Sequence, residues 1–122
     1  MSNEPSKRSK TLLGKEGEEI ASAYLLEKEY LLICNNYRHK KAEIDLIAQK
    51  KDVLVFVEVK YRTSLLFGYP ESFVTKSKQD RIRSAADNYI FEKNWKSNIR
   101  FDIISIVHTK GSIQIEHFED CF

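Results

Sequence analysis

The chain has 122 residues, of which 42% are hydrophobic and 31% are charged, and its formal net charge is +2. This length predicts one domain that buries a core without disulfide or metal support. The composition is typical of a soluble globular protein, and no apolar run is long enough to cross a membrane. The first ten residues contain no apolar signal segment. Two cysteines without metal-ligand spacing, Cys34 and Cys121, indicate a reducing compartment, so we expect a cytoplasmic protein.

The hydrophobic periodicity predicts seven elements in the order α-β-β-β-α-β-β. Residues 1–10 are polar and basic and predict a disordered arm, followed by a single domain over residues 11–122. The predicted elements are a helix over Thr11–Glu29, a strand over Tyr30–Tyr37, a hairpin within residues 41–62, a helix over Ser77–Lys93, and strands over Ile99–Val107 and Ile113–Phe118. Strands that alternate with single helices favour the α/β class, with a mixed sheet flanked by helices.

The hairpin has apolar residues that alternate on both sides of a polar turn, Lys51-Asp52. With a two-residue loop, Lys50 lies opposite Val53, and every further pair follows from that register. Side chains two residues apart share one face of a strand. The face expected to enter the core carries Ile44, Leu46, Val55, Val57 and Val59.

The other face of the hairpin carries four charged groups. Asp45 is expected opposite Glu58, and Glu43 opposite Lys60. Directly opposed carboxylates repel each other, and a hard cation such as Mg²⁺, which binds carboxylate oxygens at about 2.1 Å, removes that repulsion. The alternative is a solvated strand face with a Glu43–Lys60 surface ion pair. Four charged groups beside an apolar run favour a functional site.

Two carboxylates followed by a lysine suit phosphodiester hydrolysis. Asp45 and Glu58 would hold Mg²⁺ or Mn²⁺, and Lys60 would orient the attacking water or stabilise the developing charge. Glu43 and Glu18 are candidates for further ligands. For Glu18, near the start of the first helix, a favourable interaction with the helix dipole is the alternative.

Basic side chains concentrate in the connector over residues 38–41 and in the first part of the second helix. A cationic first turn opposes the helix dipole, which favours a bound anion there, because a helix N-terminus already attracts phosphate. The alternative is a solvated basic face. The candidates for nucleic-acid contact are Arg38, Lys40, Lys41, Arg62, Lys78 and Arg81.

Two glycines, Gly14 and Gly17, lie in the first turns of the predicted first helix. Each costs about 1 kcal/mol of helix stability relative to alanine. We therefore expect another backbone or a ligand to approach the helix closely at these positions.

The spacing of Asp45 and Glu58-Val59-Lys60 resembles the D…(D/E)-x-K signature of restriction-endonuclease-like PD-(D/E)xK nucleases. A wider set of motifs, over about residues 12–107, resembles the YraN-like family of predicted bacterial endonucleases. These motifs are Gly14-x-x-Gly17-Glu18, Asn36-x-Arg38, Glu43–Ala48, Phe56–Arg62, Gly68-x-Pro70, Lys78-x-x-Arg81-Ile82, Ala85-Ala86 and Arg100–Ile103. That family usually has glycine where this chain has Ala42, so strain is expected there if the position requires a positive φ.

The YraN-like family is similar to archaeal Holliday junction resolvases. The resemblance implies a restriction-endonuclease-like fold and a nuclease-like domain over residues 11–122. It also implies a metal-dependent endonuclease that acts on DNA, with branched or damaged DNA as the expected substrate, and a homodimer. The implied active-site residues are Glu18, Asp45, Glu58 and Lys60, with Glu43 beside them. Two alternatives remain, namely a non-catalytic nucleic-acid-binding module on the same fold and a protein-interaction domain that uses the apolar loop Leu65–Tyr69.

Overall fold

The computed structural model describes residues 3–63 and 74–122, with side chains from Gly14 onward. The elements are α1 (Asn3–Glu27), β1 (Leu31–His39), β2 (Ala42–Lys50), β3 (Val53–Arg62), α2 (Lys76–Lys93), β4 (Asn98–Thr109) and β5 (Ser112–Phe118). The predicted order α-β-β-β-α-β-β is therefore confirmed. The loop Leu65–Tyr69 lies outside the described residues.

The first helix differs from the prediction at its N-terminus. It begins at Asn3 rather than Thr11, so the backbone is helical from Asn3 onward, where a disordered arm was predicted. Proline is tolerated in the first turn of a helix, where Pro5 lies, and the lysines and arginine that follow it are good helix formers. The polar composition of this segment therefore does not prevent a helical backbone.

The five strands form one mixed sheet in the order β1-β2-β3-β4-β5. Strands β3 and β4 are parallel and are connected through α2, while the other neighbouring pairs are antiparallel. Such a parallel pair needs a crossover connection, which α2 supplies. The predicted mixed sheet with flanking helices is confirmed.

The two helices cover different apolar clusters of the sheet. On α2, four residues at helical spacing are buried, namely Ile82, Ala85, Ala86 and Tyr89. They pack with sheet residues Ala42, Ile44, Ile47, Leu54, Phe56 and Phe101. On α1, Ala21 and Leu25 are fully buried. They pack with Tyr30, Leu46, Ala48, Val55, Val57, Ile104 and Ile106. Each helix is thus held against the sheet by its own apolar stripe, which sets its position relative to the strands.

The hairpin between β2 and β3 has the predicted register. Lys50 pairs with Val53, and the ladder continues to the pair Leu46 and Val57. In the turn, Lys51 adopts a left-handed conformation with φ 56°. The two-residue loop thus determines the pairing of the first part of the hairpin, as expected from the turn residues.

Beyond Leu46 the hairpin departs from the prediction. The ladder between β2 and β3 includes neither an Asp45–Glu58 nor a Glu43–Lys60 pair, whereas β2 keeps pairing with β1 as far as Ala42. Ile44 and Leu46 were predicted to lie on the same face of β2, and this prediction is wrong. Ile44 packs in the apolar cluster covered by α2 (the α2 cluster), whereas Leu46 packs in the one covered by α1 (the α1 cluster). The side-chain alternation of β2 therefore breaks at Asp45, where this strand leaves β3.

The chain enters β2 without the strain considered for Ala42. Ala42 does not have a positive φ. The residue with a left-handed conformation in the preceding turn is Lys40, at φ 57°. Ala42 is buried and packs in the α2 cluster. A methyl group is therefore accommodated where the family usually has glycine.

No helix in the described part of the chain is both long enough and apolar enough to cross a membrane. Both cysteines are free thiols. Cys34 is half-buried and packs against the α2 cluster.

Candidate active site

The divergence of β2 and β3 opens the sheet at Asp45. The carboxylate of Asp45 accepts a hydrogen bond from the backbone N–H of Val59 at 2.8 Å, so a side chain takes the place of a ladder bond. The neighbouring Glu58 on β3 is only 4% exposed. Two acidic side chains thus lie at the point where the strands separate.

Two cavities meet at this point, and both are lined by Asp45, Glu58 and Lys78. We call the two together the acidic cleft. The larger cavity, of about 680 Å³, lies on the α1 side and is also lined by Gly14, Glu18, Val59, Lys60 and Tyr61. The smaller cavity, of about 190 Å³, lies on the α2 side and is also lined by Lys41, Ala42, Glu43, Arg81 and Ile82.

The first helix brings Glu18 into the cleft because Gly17 permits close packing. A Cβ atom at Gly17 would lie 2.7 Å from the Cβ of Tyr61 on β3, so α1 approaches the strand at a distance that only glycine allows. On the next residue, the Glu18 carboxylate accepts a hydrogen bond from Asn36 Nδ2 at 2.8 Å. A close approach is confirmed at Gly17, although the neighbour is the Tyr61 side chain rather than the expected backbone or ligand, whereas Gly14 faces open space and lines the cavity.

The acidic side chains repel one another when they are ionised, and burial and this repulsion together raise the pKa values of Asp45 and Glu18. Burial raises the pKa of Asp45 to about 8, and the nearby Glu58 and Glu18 charges add to this, against the hydrogen bond from Val59. Burial also raises the pKa of Glu18, offset in part by the Asn36 hydrogen bond and reinforced by the Glu43 and Glu58 charges. A group of partly buried carboxylates is stabilised by a cation that enters it.

Two lysines contact the same oxygen of Glu58. Lys78 Nζ donates a hydrogen bond to Glu58 Oε2 at 2.5 Å, and Lys60 Nζ lies 3.5 Å from that oxygen. Burial lowers the pKa of Lys60, against the Glu58 charge. Burial lowers the pKa of Lys78, but the charge of Glu58, the hydrogen bond to Glu58 and the charge of Asp45 act together against burial, so the pKa is raised. Both ammonium groups therefore face the carboxylates of the cleft.

The structure brings all five predicted catalytic side chains to the acidic cleft, although not by the predicted cross-strand pairing. Asp45 and Glu58 line both cavities, Glu18 and Lys60 line the α1 side, and Glu43 lines the α2 side. The predicted Glu43–Lys60 pair is wrong. Glu43 instead lies 3.6 Å from the guanidinium of Arg38 on β1, because β2 pairs with that strand beyond Asp45.

The predicted phosphate contacts divide into two groups. Lys41, Lys78 and Arg81 line the α2-side cavity. Arg38 lines a neighbouring groove between α1 and β1, which Glu18 and Glu43 also line, and Lys40 lies exposed in the β1–β2 turn. Arg62 is half-buried at the end of β3. Of these candidates, Lys78 contacts Glu58 and Arg38 contacts Glu43, whereas Lys41 and Arg81 line the α2-side cavity without an ion pair to the acidic residues among the described contacts.

Sequence reasoning missed two contributors to the cleft. Lys78 was assigned to phosphate contact, yet its ammonium contacts the buried Glu58. Asn36 is not among the candidate site residues, and it orients Glu18 from a left-handed conformation at φ 54°, which asparagine tolerates well. The available signal was the set of motifs that includes Asn36-x-Arg38 and Lys78-x-x-Arg81.

The donor set of the cleft suits a hard divalent ion. Carboxylate oxygens are the ligands that Mg²⁺ prefers, usually one or two per ion with water in the remaining positions. Asp45 and Glu58 supply two, and Glu18 faces the same cavity. Within the described residues, no three or more acidic, histidine or cysteine side chains are already arranged as a metal site. The positive charge beside Glu58 is supplied by Lys60 and Lys78.

Comparison with known proteins relates the chain to one family. A family model described as "Uncharacterised protein family UPF0102" matches residues 17–106, a range that contains Glu18, Asp45, Glu58, Lys60 and Lys78. A UPF0102 protein of Flavobacterium psychrophilum is 43% identical over 110 residues, which are 90% of this chain and 92% of that protein. A UPF0102 protein of Rhodococcus opacus is 45% identical over 113 residues, covering 90% and 95%.

Proposed function

We propose that this chain, which belongs to the uncharacterised protein family UPF0102, is a metal-dependent endonuclease that hydrolyses phosphodiester bonds in DNA. The membership agrees with the YraN-like resemblance of the sequence. The observation that carries the proposal is the convergence of Asp45, Glu58 and Lys60 on one cavity at the point where β2 and β3 separate. The proposed fold relationship is to restriction-endonuclease-like proteins, and the proposed substrates include branched or damaged DNA.

The electrostatics of the cleft support a metal site. Burial and the charge of Glu58 raise the pKa of Asp45 to about 8, so ionised Asp45 requires a nearby cation at neutral pH. Asp45 and Glu58 would hold Mg²⁺ or Mn²⁺, and Glu18 would contribute from α1. When bound, such an ion polarises a phosphoryl oxygen and makes water a better nucleophile.

Lys60 has the position of a catalytic group. Its ammonium lies 3.5 Å from Glu58 Oε2 and faces the same cavity as Asp45. A positive charge aimed at the place where negative charge develops lowers the barrier more than it strengthens ground-state binding. We therefore assign to Lys60 the stabilisation of the phosphoryl oxygens during attack.

The cations beside the acidic residues would hold the DNA backbone. Lys41 and Arg81 line the α2-side cavity, and Arg38, Lys40 and Arg62 are further candidates. Contacts to phosphate position a duplex without reading its sequence. This arrangement supports a nuclease that selects DNA by shape.

One observation favours a second function. Lys78 donates a hydrogen bond to Glu58, which supplies the acidic cleft with a cation from the chain itself. If that contact persists on DNA, the protein is a non-catalytic nucleic-acid-binding module with the same fold.

A nuclease assay distinguishes the two functions. Duplex, single-stranded, flap and four-way DNA would each be incubated with the protein in Mg²⁺, Mn²⁺ or EDTA, with Asp45→Asn as the matched inactive variant. We expect metal-dependent cleavage of at least one substrate by the wild type and none by the variant. Binding to DNA without cleavage of any substrate would establish the binding module instead. Sedimentation of the purified protein, alone and with four-way DNA, would test the homodimer that the resemblance implies.

A further inference from the structure

The two lysines that contact Glu58 differ in how they are held. Lys60 belongs to β3, two residues from Glu58, and its side chain is 18% exposed. Lys78 comes from the first turn of α2, twenty residues along the chain, and its side chain is 36% exposed. Lys60 therefore extends from the strand that carries Glu58, whereas Lys78 reaches the carboxylate from a different element through its flexible four-carbon side chain.

We propose that Lys78 is a displaceable counter-ion, which neutralises Glu58 in the metal-free protein and transfers to a phosphate of the substrate when a divalent ion binds. This inference rests on the proposed function. It makes Lys78 the residue that couples metal binding to phosphodiester binding.

The contact with Glu58 explains why displacement is required. A buried carboxylate needs a cationic partner, and Glu58 is only 4% exposed. Glu58 Oε2, however, accepts a hydrogen bond from Lys78 at 2.5 Å. A divalent ion at the same oxygen would lie beside the ammonium and repel it, so the two cations compete for Glu58.

The released ammonium has a favourable destination. Lys78 also lines the α2-side cavity, together with Lys41 and Arg81. With Glu58 occupied by metal, three cationic groups would face this cavity, and a phosphodiester is the anion that they would attract. Binding of the divalent ion then strengthens binding of the phosphodiester, and by thermodynamic linkage the phosphodiester strengthens binding of the ion by the same factor.

Calorimetry with Mn²⁺ alone tests the competition. We compare wild type, Lys78→Met and Lys76→Met, because Lys76 is a lysine of the same helical turn that is 83% exposed and pairs with Asp80. The control therefore removes the same charge without touching Glu58. We expect Lys78→Met to bind Mn²⁺ about tenfold or more tightly than wild type, within the usual range of coupling factors, and Lys76→Met to bind as wild type does.

The coupling is measured with a short phosphorothioate duplex that resists hydrolysis. Saturation with this duplex should tighten Mn²⁺ binding to wild type about fivefold or more and change the affinity of Lys78→Met much less. Lys78→Gln serves as a second variant if methionine prevents folding, because glutamine keeps a hydrogen-bond donor for Glu58 without the charge.

The outcomes separate this inference from the proposed function. Equal or weaker Mn²⁺ binding by both Lys78 variants, with normal cleavage by wild type, would overturn the counter-ion role and leave the nuclease in place. Tighter binding by the variants, with no cleavage of any DNA by wild type, would support the counter-ion role and overturn the nuclease. Absence of Mn²⁺ binding in every protein would overturn both.

Discussion

Asp45 and Val59 face each other across the gap between β2 and β3, and the Asp45 carboxylate accepts the Val59 backbone N–H at 2.8 Å. This hydrogen bond occupies a position where strand pairing would otherwise continue. It satisfies the backbone donor and at the same time fixes Asp45 beside Glu58, one residue before Val59 in the chain. The same contact therefore ends the ladder and orients a candidate metal ligand.

The first prediction concerns the charge of Asp45. Its folded pKa of about 8 lies above the ordinary value of 3.8, so the folded state binds this proton more tightly than the unfolded state. The resulting stabilisation is complete below about pH 4 and is lost as the pH rises to about 8. Asp45→Asn should abolish this loss. Between pH 5 and pH 8 in EDTA, wild type should lose on the order of a few kcal/mol relative to the variant, measured by urea denaturation.

Asp87→Asn provides the matched control for that measurement. Asp87 is exposed on α2, and its substitution makes the same chemical change outside the cleft. A wild type and an Asp45→Asn protein with parallel stability–pH curves would contradict the raised pKa.

The second prediction separates catalysis from binding at Lys60. Lys60 faces the cavity shared with Asp45, where we assign it to stabilising the charge that develops during attack. We therefore expect Lys60→Met to bind DNA within a few-fold of wild type. Its cleavage rate with saturating Mg²⁺ should fall at least about a hundredfold, the usual cost of removing a group aimed at developing charge. Single-turnover cleavage measures the rate, and Lys110→Met, at an exposed turn position, controls for loss of charge. Near-normal cleavage by Lys60→Met would leave the nuclease proposal without its mechanistic support.

The third prediction compares two glycines of α1. Alanine at Gly17 would place its Cβ 2.7 Å from Tyr61 Cβ, so we expect a loss of about 1–3 kcal/mol in the free energy of unfolding. At Gly14 nothing lies within 4 Å of an added Cβ, and alanine should stabilise the helix by up to about 1 kcal/mol. Thermal denaturation of both variants provides the comparison. Equal effects of the two substitutions would show that α1 does not press on β3 at Gly17.

The fourth prediction concerns the binding of DNA phosphates by Lys41 and Arg81, which line the α2-side cavity. Removing one cation that binds a phosphate should reduce the slope of log K against log salt by about 0.9 on duplex DNA. Fluorescence anisotropy in EDTA at several salt concentrations would measure the slope for the double variant Lys41→Ala, Arg81→Ala. Lys96→Ala, an exposed residue beyond the end of α2, is the control. An unchanged slope and affinity in the double variant would show that DNA binds elsewhere.

The elements and the first part of the hairpin were predictable because they depend on local patterns. The α2 stripe of Ile82, Ala85 and Tyr89 follows helical spacing, and those residues are buried. The turn at Lys51-Asp52 determines the register from Lys50–Val53 to Leu46–Val57. Each of these features requires only neighbours in the chain, so a period and a turn suffice to predict it.

The candidate site was predictable in its members but not in its construction. A continuous ladder would have placed Glu43 opposite Lys60, and the structure places Glu43 beside Arg38. The strands separate at Asp45, and Ile44 and Leu46 pack in clusters covered by different helices. A strand period contains no information about where a strand leaves its partner, because that depends on what packs above and below it.

The sequence by itself determined the order of elements, the turn of the hairpin and the residues that bear the charges. The tertiary structure alone decided which charges meet. Lys78 reaches Glu58 from α2, and Asn36 reaches Glu18 from β1. These contacts join residues that are eighteen or twenty positions apart, on elements held in place by separate apolar clusters. The physical reason is that helix packing positions side chains from distant segments, whereas local periodicity specifies only the face of the element on which each one lies.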